Sequence, residues 1–399
     1  MSTIAADEYF KRIYRIVSLL DSENIQIIRT MKEFGPRNLR QISKRAGLPY
    51  PTVHARVRKL EEQGALTTVV EPTYRKIGLV KIMVLATPVM GKELLVGQAL
   101  KIPGFWLRLT RCIGDCNGYY SLHAVPVAAK QDFEHYLDRL AASGLIRNYR
   151  LFSLDATYFP IPNFDYYDLR TKTWRFDWKQ WAELPQQKRN EKTKVIQESN
   201  DAFDKRDLII LKELVKDARV TLSDIAKILQ VTLPATKYRF DSLIKRGFIH
   251  EYSINMLPYA PEVSDLLEVR LDGKSEDSME TLKAKLIDMP FVLSYSPIIS
   301  LNSATLRIYI PRSERGNFFA FLSKLARDNV LSSYSYYLLD PMTIQAQTFA
   351  YKHYDDGEGW RFRIREYLSA LEDLASKGSV VDEGSLVFEQ EPTGLIQMN

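Results

Sequence analysis

Lysine and arginine residues concentrate in two short stretches of the chain, and positive charge clustered in this way binds phosphate. The first stretch holds Arg37, Arg40, Lys44, Arg45, Arg56, Arg58 and Lys59, and the second holds Lys237, Arg239, Lys245 and Arg246. Contacts to phosphates dominate affinity for nucleic acid because they release condensed counterions. An arginine can also hold a guanine base edge through two hydrogen bonds. These residues therefore favour an anionic partner such as nucleic acid.

The other reactive side chains predict no catalytic or metal site. The five histidines are scattered, at His54, His123, His135, His250 and His353. The two cysteines, at 112 and 116, lack the second pair that a structural zinc site needs. The chain also has no glycine-rich phosphate loop, nucleophile elbow or His-Glu metal helix. We expect no cofactor, no metal and no enzymatic activity.

Both basic stretches lie in a segment that the chain contains twice. Residues 21–66 align with residues 204–249 without a gap, at a constant offset of 183 (204 − 21). A second offset, of 186, relates Phe105 to Phe291 and the tripeptide at 174–176 to the one at 360–362. A repeat of this length is too long for a solenoid unit and indicates a tandem fusion of two whole modules.

Each copy predicts three short helices, with a tight turn before a basic third helix. In copy 1, Ile25, Ile28 and Met31 give the first helix an apolar face, and Asp21 or Ser22 is its expected N-cap. The second and third helices are predicted at 39–46 and 50–62 in copy 1 and at 222–229 and 233–245 in copy 2. This is the outline of a helix-turn-helix, whose third helix lies in the DNA major groove. A helical bundle with merely solvated polar faces is the alternative, which the duplication disfavours.

Polar positions of these helices form the predicted DNA-binding set. They are Arg40, Lys44, Arg45, Tyr50, Thr52, His54, Arg56, Arg58 and Lys59 in copy 1, and Thr232, Thr236, Lys237, Arg239, Lys245 and Arg246 in copy 2. Arg56, Lys237 and Arg239 are predicted to reach base edges or the adjacent phosphates. Phosphate contacts that set the register are predicted at Thr52, Arg58, Lys59, Lys245 and Arg246.

After each helical unit the apolar period changes from helical to alternating, as Phe105, Leu107 and Leu109 illustrate. The predicted order is strand, helix, two strands, helix, strand, which is that of a ferredoxin-like sandwich. These elements are predicted at 79–89, 92–101, 106–112, 119–125, 129–143 and 146–158, and again at 266–271, 278–287, 292–298, 304–310, 313–328 and 331–339. The predicted fold class is α+β, with two tandem modules, each a winged helix-turn-helix followed by a βαββαβ sandwich.

A helix-turn-helix joined to a βαββαβ sandwich resembles the Lrp/AsnC family of bacterial and archaeal transcription regulators. The resemblance covers nearly the whole chain, twice, and is carried by DKRDLIILKELVKDARVTLSDIAKIL at 204–229 and LPYPTVHARVRKLEEQGAL at 48–66. In the resemblance, Arg56 and Arg239 match a basic position of the recognition helix. It implies dimerisation through the sandwiches and a small effector, commonly an amino acid. The implied effector loop carries Gly-Asp, which copy 1 keeps as Gly114-Asp115 and copy 2 lacks.

Matched aromatic segments follow the two sandwiches, at 159–184 and 348–374. They could stack on single-stranded bases, but a matched pair favours a structural brace. Residues 186–200 predict a linker or a solvated helix, and the tail from 378 predicts disorder. The predicted domains are an N-terminal helix (1–20), helix-turn-helix 1 (21–74), ferredoxin-like domain 1 (75–160), brace and linker (161–203), helix-turn-helix 2 (204–258), ferredoxin-like domain 2 (259–345), brace and helix (346–376) and tail (377–399).

Composition agrees with packed domains and an anionic partner. Of 399 residues, 45% are apolar, and the net charge is +6. This charge modestly favours nucleic acid. The sequence has neither an apolar run of about 18 residues nor a signal-like start, so we expect no membrane contact and a cytoplasmic location.

The sequence therefore predicts a sequence-specific DNA-binding transcription regulator whose two different recognition helices read an imperfect two-half site. The halves are expected to pair as an intrachain pseudo-dimer or with a second chain as a homodimer. One alternative is a non-specific architectural DNA-binding protein. Another is a tetrapyrrole decarboxylase, because some Lrp-like folds have that activity, also as fused pairs. His123 and Arg108 would then be the residues to suspect.

Overall fold

The structure is a computed structural model that describes residues 18–183, 202–256, 259 and 263–377. Most of the predicted N-terminal helix (1–20), the predicted linker (186–200) and the predicted tail from 378 lie outside these residues. In the described part of the chain, no helix combines the length and the apolar content needed to cross a lipid bilayer.

Copy 1 begins with three helices, and Asp21 caps the first by accepting a hydrogen bond from the Asn24 amide at 2.8 Å. The helices are α1 (Ser22–Phe34), α2 (Leu39–Ala46) and α3 (Tyr50–Glu62). The remaining elements are β1 (Leu66–Pro72), β2 (Leu79–Pro88), α4 (Glu93–Ala99), β3 (Trp106–Gly114), β4 (Gly118–Pro126), α5 (Lys130–Ala142), β5 (Ile146–Leu154), β6 (Tyr167–Asp168), β7 (Thr173–Trp174) and α6 (Trp178–Glu183).

Copy 2 repeats this plan, and a reciprocal capping box between Asp204 and Asp207 starts its first helix. The helices are α7 (Lys205–Lys216), α8 (Leu222–Leu229) and α9 (Leu233–Lys245). The remaining elements are β8 (Ile249–Met256), β9 (Ser264–Gly273), α10 (Glu276–Leu286), β10 (Val292–Ile298), β11 (Ser303–Pro311), α11 (Arg315–Arg327), β12 (Leu331–Leu339), β13 (Gln345–Ala346), β14 (Tyr354–Asp355), β15 (Gly359–Trp360) and α12 (Ile364–Lys377).

The predicted α+β fold is confirmed in both copies. The sandwich strands run in the orders β5-β2-β4-β3 and β12-β9-β11-β10, each equivalent to the strand order 4-1-3-2. One predicted strand, at 146–158, was too long, because β5 ends at Leu154. Beyond it, Tyr158 forms a bridge with Tyr295 of copy 2. The sequence pattern that predicted the strand continues past Leu154, but the chain there pairs with Tyr295 of copy 2 and no longer with β2.

The two four-stranded sheets join at both edges into one closed sheet. In one junction Leu338 of β12 pairs with Ile113 of β3, and in the other Ile298 of β10 pairs with Leu154 of β5. Strands of both copies also contribute to one apolar core. The two sandwiches of a single chain thus pair with each other, as in the predicted intrachain pseudo-dimer.

A two-stranded antiparallel ribbon, formed by β1 and β8, links the two helix-turn-helix units. In it Val69 lies opposite Ser253 and Val70 lies opposite Tyr252. At the offset of 183, Val69 corresponds to Tyr252 and Val70 to Ser253. Exchanging the copies therefore maps the ribbon onto itself, so the ribbon lies on a pseudo-two-fold axis.

The aromatic segments cross from one copy to the other. Phe176 packs on Phe291 of the copy 2 sandwich, with ring centroids 5.3 Å apart. Phe362 packs on Phe105 of the copy 1 sandwich, with centroids 5.5 Å apart. In the same way α6 contacts α11, and α12 contacts α5. Each segment is thus a brace, but it covers the sandwich of the other copy.

Candidate DNA interface and inter-module cavity

The outer face of the third helix of copy 1, α3, is basic and open to solvent. His54, Arg58 and Lys59 are exposed on it, and Thr52 is half-buried. Arg58 pairs with Glu62 at 2.6 Å. Such an exposed pair on one helix contributes little free energy, so it leaves Arg58 available to a phosphate.

The second helix, α2, adds positive charge beside the start of α3. Arg40, Lys44 and Arg45 are all exposed. The Arg40 guanidinium lies 5.8 Å from the ring centre of Tyr50, in the first turn of α3. Of these three cations, Arg40 therefore lies directly beside the start of α3, whereas Arg45 lies 4.8 Å from the ring centre of Phe34.

The third helix of copy 2, α9, exposes a different set of side chains. Lys237 and Lys245 are exposed, and Tyr238 is 78% exposed. Thr232 caps the helix, since its hydroxyl accepts a hydrogen bond from the Ala235 amide at 3.4 Å. Tyr238 was absent from the predicted set. The signal was in the aligned copies, because a large aromatic ring stands there where copy 1 has Ala55.

The two arginines predicted to read bases are held by acidic residues of their own units. Arg239 donates hydrogen bonds to Asp204 and Asp207 at 3.0 and 2.8 Å. Burial lowers the pKa of Arg239, but these hydrogen bonds and charges raise it overall above its ordinary value. Arg56 makes the equivalent contact with Asp21 at 2.7 Å. Because both guanidiniums tie the third helix to the start of the first, we propose that they stabilise the unit and do not read bases.

Two more of the predicted DNA contacts, Thr236 in α9 and Arg246 directly after it, are not fully exposed to solvent. Thr236 is buried, and its hydroxyl donates to the Thr232 carbonyl at 3.2 Å. It aligns with Val53, a core residue of copy 1, so the repeat itself marked it as an inward position. Arg246 is half-buried and lies 4.7 Å from the ring centre of Phe248. Thr236 is therefore removed from the set, and Arg246 is a packing residue at the helix end.

Side chains also connect the two helix-turn-helix units directly. Arg37 of copy 1 donates to the carbonyls of Ala218 and Val220 in copy 2, the latter at 2.9 Å. In the reverse direction, Arg219 pairs with Glu61 near the end of α3. The recognition helices are thus linked by these contacts as well as by the ribbon.

A cavity of about 670 Å³ lies between the two sheets and the β1–β8 ribbon. Its walls include Arg108 from copy 1 and Glu268 and Arg307 from copy 2. Val70 of the ribbon and Val215 of α7 also line it. The cavity therefore touches both sheets, the ribbon and the first helix of the second DNA-binding unit.

Charged groups inside this inter-module cavity are buried. Arg307 pairs with Glu268 at 2.8 Å and donates to the Tyr120 hydroxyl at 2.7 Å. Burial, followed by the nearby Arg307 cation, lowers the pKa of Arg108 to about 9. Arg108 is still protonated at neutral pH. Because a cation in a low-dielectric site is stabilised by opposite charge, these residues favour a negatively charged occupant.

The buried pair is present in copy 2 only. Glu268 and Arg307, each the fifth residue of its strand, lie opposite each other on β9 and β11. The fifth residues of the equivalent strands in copy 1 are Met83 and Leu122, which also lie opposite each other. Arg108 in turn corresponds to Ser294 at the offset of 186. The duplication has therefore produced one asymmetric cavity and not two equivalent half-sites.

The histidine suspected of tetrapyrrole chemistry lies on the other face of the sheet. Leu122 lines the cavity, whereas the neighbouring His123 packs 4.9 Å from the ring centre of Phe133 on α5. Burial lowers the pKa of His123 to about 3, and its Nε2 lies 3.0 Å from the Ser121 hydroxyl. His123 therefore lies outside the cavity that Arg108 lines.

Gly114 and Asp115, the predicted effector residues, lie at the β3–β12 junction. Gly114 has a φ of +128°, and a Cβ there would come within 2.6 Å of the Tyr336 carbonyl oxygen. The Asp115 carboxylate accepts a hydrogen bond from the Tyr336 amide at 2.8 Å. This pair therefore helps to join the two sheets, and effector binding by Gly114 and Asp115 stays a prediction.

Comparison with known proteins is consistent with these units. A family model of winged helix-turn-helix DNA-binding domains matches residues 24–67 and again residues 203–250. The HTH-type transcriptional regulator LrpA of Pyrococcus abyssi is 36% identical over 89 residues, which is 22% of this chain and 62% of LrpA. LrpA of Pyrococcus horikoshii is 35% identical over 90 residues, or 23% of this chain and 63% of that protein. The chain thus spans less than two thirds of the length of these relatives.

A solved structure similar to nearly the whole chain is that of the siroheme decarboxylase NirDL. It matches 90% of this chain and 100% of its own length, with a TM-score of 0.51 and 13% identity. NirDL in complex with an iron-uroporphyrin III analogue matches with a TM-score of 0.50 and 14% identity. At this identity the similarity concerns the fold alone. The chain thus contains two matched winged helix-turn-helix DNA-binding units, each followed by a βαββαβ sandwich.

Proposed function

We propose that this chain is a sequence-specific regulator of transcription. It binds double-stranded DNA through its two recognition helices, α3 and α9. The observation that carries the proposal is the coupling of two exposed, basic helices, α3 and α9, through one ribbon. In helix-turn-helix dimers, recognition helices about 34 Å apart enter successive major grooves on one DNA face. Here the ribbon and the Arg37 contacts supply within one chain what the pairing of two subunits supplies in such dimers.

The two half-sites of the target should differ, because the two helices expose different side chains. His54 on α3 corresponds to Lys237 on α9, and Ala55 corresponds to Tyr238. Base edges in the major groove are distinguished by the side chains that reach them. We therefore expect an imperfect palindrome, with base contacts from Lys237 and Tyr238 in one half and from His54 in the other.

Phosphate contacts fix the register of the protein on DNA without reading sequence. The exposed basic residues and helix-start residues suit this role. They are Arg40, Lys44, Arg45, Tyr50, Thr52, Arg58 and Lys59 in copy 1 and Thr232 and Lys245 in copy 2.

The test is selection of bound fragments from a random DNA pool, followed by affinity measurements across a salt series. We expect an enriched, asymmetric two-half motif, a preference over random DNA of about 10³ or more, and a steep dependence on salt. A steep salt dependence without enrichment would instead identify a non-specific architectural DNA-binding protein. Absence of binding would contradict the proposal.

A tetrapyrrole decarboxylase remains the second candidate, supported by the cation-lined cavity that contains Arg108. The candidate is weakened because His123 lies outside the cavity, and no histidine of the described residues lines it. Incubation with siroheme separates the two functions. A tetrapyrrole mass lowered by the loss of carbon dioxide would favour the decarboxylase. An unchanged tetrapyrrole mass would favour the regulator.

A further inference from the structure

The two cysteines of the chain lie together, on either side of the turn between β3 and β4. Cys112 is in the last part of β3, and Cys116 is in the turn itself. The Cys112 sulfur lies 3.5 Å from the Cys116 carbonyl oxygen, and the two thiol groups are in hydrogen-bonding contact. Neither forms a disulfide in this structure. The fold thus places both halves of a disulfide within a single turn.

The two thiols have different surroundings, and this gives them different reactivities. A hydrogen bond with Cys112, helped by the Thr87 hydroxyl at 3.6 Å and by the Arg150 cation, lowers the pKa of Cys116 to about 7. The same hydrogen bond, followed by burial, raises the pKa of Cys112. Because the thiolate and not the thiol is the nucleophile, Cys116 is suited to react first and Cys112 to react second.

A cavity of about 530 Å³ reaches the pair at Cys112. Its walls include Ile113 and the Arg312 side chain, which are 59% and 61% exposed, so the cavity is open to water. Cys112 and Cys116 themselves are each only 3% exposed. An oxidant therefore has to be nearly as small as water to reach either sulfur atom. This favours hydrogen peroxide over a bulky disulfide such as oxidised glutathione.

The turn that carries the two thiols also joins the two sheets. Gly114 pairs with Tyr337 of β12. The Asp115 amide donates to the Tyr336 carbonyl at 3.2 Å, and the Asp115 carboxylate accepts from the Tyr336 amide at 2.8 Å. A disulfide between residues 112 and 116 would close a short loop around Gly114 and Asp115, which restricts the conformations of that loop. Oxidation would therefore hold the turn in the shape that pairs with β12.

The equivalent junction on the other side of the closed sheet has no thiols. At the offset of 186, Cys112 corresponds to Ile298 and Cys116 to Asn302. Ile298 pairs with Leu154 at that junction. Oxidation can therefore act on one of the two junctions only, and the other junction is an internal control.

We propose that Cys112 and Cys116 form an oxidation site for hydroperoxides, and that their disulfide locks the junction between β3 and β12. In the first step, the Cys116 thiolate attacks a peroxide oxygen and the O–O bond breaks. Cys116 becomes a sulfenic acid, and the released hydroxide takes up a proton to give water. This site is independent of the proposed binding of DNA.

In the second step, the Cys112 sulfur attacks the Cys116 sulfur and the S–O bond breaks. The proton of the Cys112 thiol leaves with the hydroxyl group as a second water. One molecule of hydrogen peroxide is thus reduced to two waters while two thiols are oxidised to one disulfide. A thiol reductant reverses the change.

The first experiment treats the full chain with hydrogen peroxide or with oxidised glutathione, then unfolds it in N-ethylmaleimide and measures the peptide masses. After peroxide, we expect the peptide that contains both cysteines to lose two hydrogen atoms and to take up no maleimide. Dithiothreitol should restore both alkylation sites. Oxidised glutathione should react about tenfold more slowly or less. The proposal would be overturned if both cysteines were still alkylated after peroxide, or if the disulfide joined two chains.

Two matched variants test the order of the steps. In Cys112→Ser, the sulfenic acid of Cys116 has no second thiol to react with, so dimedone should capture it. In Cys116→Ser, the remaining Cys112 should react with peroxide about tenfold more slowly than Cys116 does in the other variant. Equal reaction of the two variants would contradict the assigned order. If either variant does not fold, the wild-type peptide masses still decide whether the disulfide forms.

The second experiment measures amide hydrogen exchange in the oxidised and the dithiothreitol-reduced protein. Amides of β12 from Tyr336 to Leu339 should exchange about threefold more slowly after oxidation, whereas those beside Ile298 and Leu154 should be unchanged. Peroxide-treated Cys112→Ser should show no slowing at either junction. A disulfide that forms without slower exchange in β12, or with equal slowing at both junctions, would overturn the lock.

Discussion

Phe176 and Phe291 lie in different copies of the repeat, yet their rings pack with centroids 5.3 Å apart and planes at 78°. The equivalent residues, Phe362 and Phe105, also pack together, with centroids 5.5 Å apart but with planes inclined by 32°. Edge-to-face aromatic pairs such as Phe176 and Phe291 stabilise beyond the area that they bury. Each copy therefore provides a brace that completes the sandwich of the other, and we expect the two copies to unfold together.

Replacing Phe176 by alanine tests this interlocking. We expect the free energy of unfolding to fall by roughly 2 to 4 kcal/mol, because the substitution leaves a cavity against Phe291. Urea denaturation followed by circular dichroism measures it. Leu169, an exposed residue of the same segment, is the control, and Leu169→Ala should stay within about 0.5 kcal/mol of wild type. Equal losses in both variants would show that the brace does not stabilise the sandwich.

Replacing Arg239 by alanine separates stabilisation from base reading. Because Arg239 bonds to Asp204 and Asp207, we expect a loss of unfolding free energy of roughly 1 to 2 kcal/mol. Preference among DNA sequences should be unchanged. Lys237→Ala is the matched control on the same helix, and it should leave stability unchanged while relaxing one half-site. A change of sequence preference in Arg239→Ala at unchanged stability would restore its predicted role as a base contact.

The salt dependence of DNA binding should report the exposed lysines of the recognition helices. Lys59→Ala should reduce the slope of log affinity against log salt by about 1, because one phosphate contact and its released counterion are lost. Fluorescence anisotropy across a salt series gives the slope. Lys179, exposed on α6, is the control. The proposed interface would be wrong if both variants changed the slope equally.

His123 should make the protein less stable in mild acid. The folded pKa is about 3, against an ordinary value of 6.5, so His123 has no effect on the pH dependence above pH 6.5. As the pH falls below 6.5, the unfolded chain binds a proton that the folded chain does not. The free energy of unfolding should therefore decrease by about 1.4 kcal/mol per pH unit towards pH 3.

Chemical denaturation between pH 4 and pH 6 checks this slope, with His123→Gln as the test variant. The variant should lose the part of the pH dependence that comes from His123. The carboxylates should contribute equally to the pH dependence of both proteins. The same replacement at the exposed His135 should preserve the wild-type slope. Identical slopes in wild type and His123→Gln would contradict the burial of a neutral imidazole.

Gly114→Ala should destabilise the junction between the two sheets. Its φ of +128° disfavours any other residue, and a Cβ would also collide with the Tyr336 carbonyl oxygen at 2.6 Å. We expect a loss of roughly 1 to 3 kcal/mol in thermal or urea unfolding. Gly144 has a φ of +73° with no atom within 4 Å, so Gly144→Ala isolates the backbone cost. Equal losses would remove the collision as a cause.

Local patterns in the sequence were sufficient for most elements. The predicted bounds of α3, α9, β10 and β12 are those observed, because helical and alternating periods are set by neighbouring residues. Alignment of the two copies carried further information. Thr236 aligned with the core residue Val53, and Arg56 and Arg239 aligned together with Asp21 and Asp204. Alignment of the two copies thus already indicated one buried position and one arginine–aspartate ion pair that occurs in both copies.

The sequence alone thus determined the duplication, the order of elements and the α+β class, since each depends on short-range periodicity or on self-comparison. The tertiary structure decided which copy each brace covers, which arginines are engaged by carboxylates, and that Arg108 and Arg307 face one cavity while His123 faces away from it. These features depend on contacts between residues far apart in the chain. No local pattern records such contacts, because either pairing of the copies would bury the same apolar faces.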